Sequence, residues 1–205
     1  MARLSRRPAL RSLREAARGC RACPLWKNAT QTVFGAGPAR ARVVLVGEQP
    51  GDQEDRIGLP FVGPAGRMLD KALQQAGVER TELYVTNAVK HFKFLLRGKR
   101  RMHQKPTDLE IAACHRWLEK ELAGIRPHLI VAMGATAARS VFSRTMRIEA
   151  NRGHIMPPDS HSHAADVLIT VHPSWLLRVP EADKADAFRG FVRDLRRVRR
   201  YVAET

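Results

Sequence analysis

Glu48, Gln49, Asp52, Glu54, Asp55 and Phe61 crowd into one stretch, Gly47 to Gly66, among glycines and prolines that set unusual backbone angles. A bland strand-to-helix connection needs no such collection. The glycine spacing is not that of a dinucleotide fingerprint, and no Gly-Lys-Ser/Thr follows as in a phosphate-binding loop. Carboxylates here would repel phosphate and suit chemistry on a base or a sugar. A second group of chemically capable residues starts with Cys20 and Cys23, two residues apart, with Cys114 far along the chain. An odd count of three cysteines points to metal or redox chemistry rather than a disulfide framework. Pro24 and Trp26 do not reproduce a thioredoxin-like context. A tetrahedral centre would need a fourth ligand, and His91 is the candidate. Three thiolates and one imidazole suit zinc and an iron–sulfur cluster equally well.

The elements that must position these residues follow from hydrophobic period. Residues 42–46 read as a buried strand entering the central loop, and residues 67–76 as a helix stopped by Gly77. Further strands read over 83–86, ending in Asn87, over 128–133, and over 167–171, ending in His172-Pro-Ser-Trp175. Helices read over 7–18, over 107–122 from the capping box Thr107-Asp-Leu-Glu110, over 134–142, and over 181–202. In the last, Ala185, Phe188, Val192, Leu195 and Val198 form the expected core face. Residues 90–105 form a basic run and residues 143–166 read as irregular, with His161-Ser-His163 as a solvated tip. The alternation predicts an α/β fold: a three-layer α/β/α sandwich around a short, mostly parallel four-stranded sheet. One domain over 1–205 is expected, with the basic helix of residues 1–18 packed on or flanking it. The special loops, 48–66, 87–105 and 172–178, then leave one edge of the sheet, where α/β proteins bind ligands.

Lys and Arg total 36 against 20 acids, a net charge of +16, which favours a polyanionic partner, nucleic acid first. No apolar run approaches a membrane span and no signal peptide is seen at Met1-Ala-Arg-Leu-Ser. The expectation is a monomer in the cytoplasm, nucleoid-associated if bacterial.

Taken together, Gly47-Glu-Gln-Pro-Gly51 with Leu59-Pro-Phe-Val-Gly-Pro-Ala-Gly66, Val85-Thr-Asn-Ala-Val-Lys90 and Val171-His-Pro-Ser174 resemble the motifs of the uracil-DNA glycosylase superfamily. The resemblance spans about Gly19 to Arg200. The paired cysteine near the start is similar to the iron–sulfur branch, families four and five. Two features depart from that branch: His91 stands where a third cysteine would be, and Gly98-Lys-Arg-Arg-Met-His103 is an insert. Both are similar to the X-type enzymes, which become covalently joined to uracil-containing DNA. Met102 replaces the isoleucine of their loop, and Trp175 stands where a smaller residue is expected.

The resemblance implies a 4Fe-4S cluster on Cys20, Cys23, His91 and Cys114, bracing the loops. It implies a flipped or single-stranded uracil, stacked on Phe61 and read at O4 and N3 by the Asn87 amide. Backbone N–H groups of Gly47 and Gly51, and the Gln49 side chain, would serve O2 or positioning. His172 would donate to O2 as charge leaves on the base. His103 would attack C1′ and leave a C–N bond, with Glu48 orienting its ring. Asp52 would support that network or the loop, and Lys99, Arg100, Arg101, Lys105 and Ser174 would contact DNA. Each has a plainer alternative: a core Phe, a turn Asn, a turn His, a phosphate-contacting His103, a solvated charge run. Two rival functions stay open, a conventional multiple-turnover glycosylase and a non-catalytic nucleic-acid-binding module with a zinc knot. The expected partner is uracil-containing DNA, single-stranded by preference.

Overall fold

The computed structural model describes residues 10–158 and 164–204. The β-branched runs become β1 (Val43–Gly47), β2 (Tyr84–Asn87), β5 (Leu129–Met133) and β7 (Asp166–Thr170), and nearly every residue in them is buried. These pair in parallel in the order β2-β1-β5-β7. Parallel strands covered on both faces need continuous apolar runs, which is how these segments read.

The sheet has five strands, not the expected four. The fifth, β6 (Ile155–Met156), lies antiparallel on the β7 edge, with Ile155 opposite Leu168. Two residues carry no readable period, so this strand stayed hidden in the segment taken as irregular. The expected tip, His161-Ser-His163, lies outside the described residues, as do residues 7–9 of the first helix.

Strand alternation sends side chains to two helical layers. Leu45, Val131 and Leu168 share one core with α3 (Pro64–Ala76) and α8 (Glu181–Glu204). Val44, Ile130 and Ile169 face the other, with α4 (Asp108–Ile125) and α5 (Ala135–Phe142). The three-layer sandwich is therefore as expected. The Thr107 hydroxyl and Glu110 carboxylate cap α4 reciprocally. On α8, Ala185 is exposed and Phe191 is fully buried, so the core stripe begins later than its spacing suggested. The short helices α6 (Ile148–Asn151) and α7 (Pro173–Leu176) close connections beside the sheet. Helix α1 (Leu10–Arg18) packs Leu13 and Ala17 into a third small core with Trp117 of α4.

A helix and a hairpin were not legible either. Helix α2 (Asp52–Ile57) forms inside the central loop. Strands β3 (Phe94–Arg97) and β4 (Arg100–His103) fold the basic run into an antiparallel hairpin.

Beneath the β2 end lies a fully buried ion pair, Lys90 Nζ to Glu121 Oε2 at 2.5 Å. The same ammonium donates to Thr86 Oγ1 and to the Asn87 carbonyl, both at 2.7 Å. Glu121 also accepts from Tyr84 Oη at 2.8 Å and from the Gly35 N–H at 2.9 Å. A buried pair contributes little net stability, but breaking it strands a charge. Lys90→Met should therefore cost about 3–5 kcal/mol in urea unfolding. Adding Glu121→Gln, which removes the stranded charge and keeps an acceptor, should return part of that loss. A Lys90→Met variant as stable as the parent would sink this account.

Candidate active site

Chain direction reverses between β1 and β5: one connection leads to β2, the next to the opposite flank. Ligands of open α/β sheets bind at the carboxyl ends of strands at such a point. Here Thr136, at the start of α5, donates to Glu48 Oε2 at 2.6 Å and closes the gap between the two strand ends. A cavity of about 740 Å³ opens above it, and Glu48, Gln49, Phe61, Asn87, His103 and His172 all line it.

The central loop is held from within. The Glu54 carboxylate accepts the Gly51 N–H at 3.1 Å and the Gly63 N–H at 2.8 Å, tying the start of α2 to the start of α3. Between them Phe61 takes a left-handed backbone, φ 55°, uncommon for a bulky residue. Two glycines permit it. A Cβ at Gly66 would lie 1.9 Å from the Phe61 carbonyl, and one at Gly47 would lie 2.5 Å from both Phe61 Cζ and Asn87 Oδ1. The phenyl ring can therefore rest on the end of β1 beside the Asn87 amide. Its centroid is 5.9 Å from the His172 ring.

Two polar atoms among these residues are buried without a partner among the described residues: Asn87 Oδ1 and His172 Nε2. An unmet buried donor or acceptor carries a desolvation cost that a bound ligand can relieve. The His172 tautomer follows from its other nitrogen. Nδ1 accepts the Ser174 N–H at 3.2 Å and lies 2.8 Å from Ser174 Oγ, so a neutral ring carries its proton on Nε2. Burial pushes this imidazole down to about 4; the Glu48 charge opposes that, and His103 and Arg178 add to it. His172 is thus a neutral donor near pH 7, and Ser174, read as a DNA contact, orients its ring.

His103 ends β4, with Nε2 at 3.4 Å from Glu48 Oε1. Burial alone would raise the Glu48 pKa, but hydrogen bonds from His103 and Thr136 outweigh it, and the carboxyl lies below its ordinary value. Gln49 is buried, and both ends of its amide hold the hairpin. Oε1 accepts the Lys93 N–H at 3.1 Å, and Nε2 donates to the Gln104 carbonyl at 2.9 Å. Of the two roles considered for Gln49, the geometry gives it positioning.

Arg101 departs from its reading as a phosphate-binding cation. Its side chain is 11% exposed, bonds the Asp52 carboxylate, reaches Asp55 Oδ2 at 2.6 Å, and lies over the rings of Phe92 and Phe94. Asp52 faces Arg101 and Arg56 rather than His103, so of its two suggested roles it takes support of the loop. Arg101 thus fastens the hairpin to α2. Lys99, Arg100 and Lys105 stay exposed around it, Lys105 on the cavity rim. Thr136 was missed; its only sequence signal was a hydroxyl just beyond the Gly134 turn. Trp175 is exposed, and nothing in the structure explains it.

Behind the site, Cys20, Cys23 and Cys114 are free thiols in one apolar cluster between α1 and α4. Trp117 Nε1 donates to Cys20 Sγ at 3.1 Å and the Lys90 N–H to Cys114 Sγ at 3.2 Å. Burial opposes ionisation of Cys20, but the Ala22, Trp117 and Arg116 donors prevail and lower its pKa. His91 is buried; Nε2 meets Thr32 Oγ1 at 2.9 Å, and Nδ1 has no partner among the described residues. Among the described residues, no three His, Cys, Asp or Glu side chains converge on a single-ion site.

A three-layer α/β/α sandwich with a cavity at its switch point, lined by a neutral donor, an amide and an aromatic face, defines an α/β protein with a polar and aromatic site at its strand ends. The family model of the uracil DNA glycosylase superfamily matches residues 34–196, and the chain belongs to that superfamily. It is 39% identical over 165 residues to the type-4 uracil-DNA glycosylase of Thermotoga maritima, covering 80% of this chain and 81% of that one. To the type-4 enzyme of Pyrobaculum aerophilum it is 33% identical over 191 residues, 91% of each chain. To the type-5 enzyme of the same organism it is 32% identical over 152 residues, 67% of this chain and 64% of that one.

An NMR titration should find His172 with a midpoint near 4, and Glu48→Gln should lower it further because the opposing charge is gone. Between about 4 and the ordinary value of about 6.5 the unfolded chain binds a proton the native chain does not, so this group makes stability rise with pH. A midpoint in the ordinary imidazole range would overturn the neutral-donor assignment.

Proposed function

We propose that this protein is a uracil-DNA glycosylase that cleaves the N-glycosidic bond and captures the sugar on His103. One observation carries the second half: His103 stands on an ionised Glu48 at the rim of the cavity that holds Asn87 and His172. The relatives named as type-4 and type-5 uracil-DNA glycosylases support the first half.

In this reading a flipped uracil stacks on Phe61. Asn87 Oδ1 accepts from N3–H while the amide nitrogen donates to O4, and His172 Nε2–H donates to O2. These partners answer the two unmet buried atoms. As the bond from C1′ to N1 breaks, its electron pair passes to the base, and the fixed neutral donor at O2 stabilises the charge. The cationic sugar is attacked by the His103 nitrogen turned away from Glu48, forming a C–N bond. The imidazolium that results has the Glu48 carboxylate as its counter-ion. Lys99, Arg100 and Lys105 hold phosphates and impose salt dependence. The type-4 relatives favour a second reading, in which water takes the place of His103.

Cys20, Cys23, Cys114 and the open Nδ1 of His91 fit a 4Fe-4S cluster in donor type and in the N–H groups already directed at sulfur. When bound it would supply a structural cross-link between the N-terminal turn, the β2 loop and α4. Purified without air, the protein should be brown, with iron and acid-labile sulfide near four of each per chain. One equivalent of zinc and no iron would overturn the cluster.

The function is tested with a labelled single-stranded oligonucleotide carrying one uracil, boiled in detergent and run on a denaturing gel. A shifted band should form with uracil and not with thymine, vanish in His103→Ala, and slow on the order of 100-fold in Glu48→Gln. A band persisting in His103→Ala would remove the nucleophile assignment. Free DNA that alkali cleaves would establish the water-delivering enzyme instead, and DNA that survives alkali a binding module.

A further inference from the structure

Helix α8 changes character halfway. Its first half pairs cations with acids one turn back: Lys184 with Glu181 at 2.7 Å, and Arg189 with Asp186. Its second half places Arg193, Arg196, Arg197 and Arg200 on one face, all exposed, and among the described residues none of them forms an ion pair. Like charges at i,i+3 and i,i+4 destabilise a helix, and this face holds several such pairs. The helix dipole does not repay that cost, because its effect is confined to the last turn, which has no basic residue. With His154 of the turn before β6 this face walls a groove of about 680 Å³, whose one acid among the described residues is Glu204.

The groove leads away from the base cavity. Asp194, at its upper end, is bonded to Thr170 at the carboxyl end of β7, whereas Tyr201 reaches Asp166 at the amino end. The four guanidiniums therefore run along the flank of the sheet. Arginine forks suit phosphate oxygens, and a row of them about 10 Å long, at 1.5 Å per helical residue, matches successive phosphodiesters rather than one ion.

We infer that the α8 groove is a second nucleic-acid contact, binding the phosphodiester backbone independently of base and uracil. This inference does not rest on the reading of the base cavity.

The test compares the parent with Arg196→Gln/Arg197→Gln/Arg200→Gln, using uracil-free single strands of about 30 and about 8 nucleotides over a range of salt. The variant should bind the long strand on the order of tenfold more weakly, and its log–log salt slope should fall by about 2, at roughly 0.7 per lost phosphate. Excision on a uracil-containing strand of about 8 nucleotides should be unchanged in a single turnover. Unchanged affinity and slope on the long strand would overturn the inference. So would calorimetric binding of inorganic phosphate by the parent that the variant loses while its DNA affinity persists, since the groove would then be a small-anion site. An unchanged melting temperature confirms that the variant is folded.

Discussion

The buried Lys90–Glu121 pair is the point from which both functional regions hang. An ammonium and a carboxylate without access to water must be satisfied by protein groups, and here those groups come from strand β2 and from Gly35. Glu121 draws in Tyr84, Thr86 and Gly35; Lys90 draws in Thr86 and the Asn87 carbonyl. The backbone N–H of the same lysine reaches Cys114. The cavity-lining amide of Asn87 and the thiol cluster are thus two sides of one polar core. Movement at either would cost hydrogen bonds at the other, so a cluster bound to the thiols would steady Asn87.

The other face of the site depends on a second buried charge arrangement. Arg101 spans Asp52 and Asp55, and Asp55 is fully buried and also accepts the Thr30 N–H. With Gln49 this fixes the hairpin against the central loop and leaves His103 at the rim. Around that imidazole the electrostatics are divided: Glu48 is held ionised, while His172 is held neutral by burial. A fixed negative group stands beside one ring and a desolvated environment surrounds the other, so the two imidazoles differ in charge partner and in burial. The sheet supports this by placing strand ends from β1, β2, β5 and β7 on one edge.

Much of the layout was readable because its signals are local. Apolar runs of four to six residues marked every parallel strand, the Thr107–Glu110 spacing marked the α4 cap, and Gly77 marked the α3 stop. The loops carrying Glu48, Phe61, Asn87 and His172 were recognisable as the odd segments between them. Short elements were not readable. Two residues of β6 have no period, α2 is capped by a glycine and a glutamate rather than by a Ser or Thr, and the hairpin hid under its charge density.

Residue identity alone determined which chemistries are possible: thiols and an imidazole for a metal centre, loop carboxylates for work on a base or a sugar rather than on a phosphate, an excess of basic residues for a polyanion. It also determined the layered α/β class, because burial on both faces of a strand leaves a continuous apolar run. Only the tertiary structure decided how each polar group is used. Arg101 and Lys99 are close in the same basic run, yet one is sealed between two carboxylates and two rings while the other meets solvent. His172 and His103 both stand in segments that read as loops, yet burial makes one a neutral donor and a 3.4 Å contact gives the other a carboxylate partner. Burial and partner distance set charge, tautomer and direction, and they arise only when segments far apart in the chain are packed together.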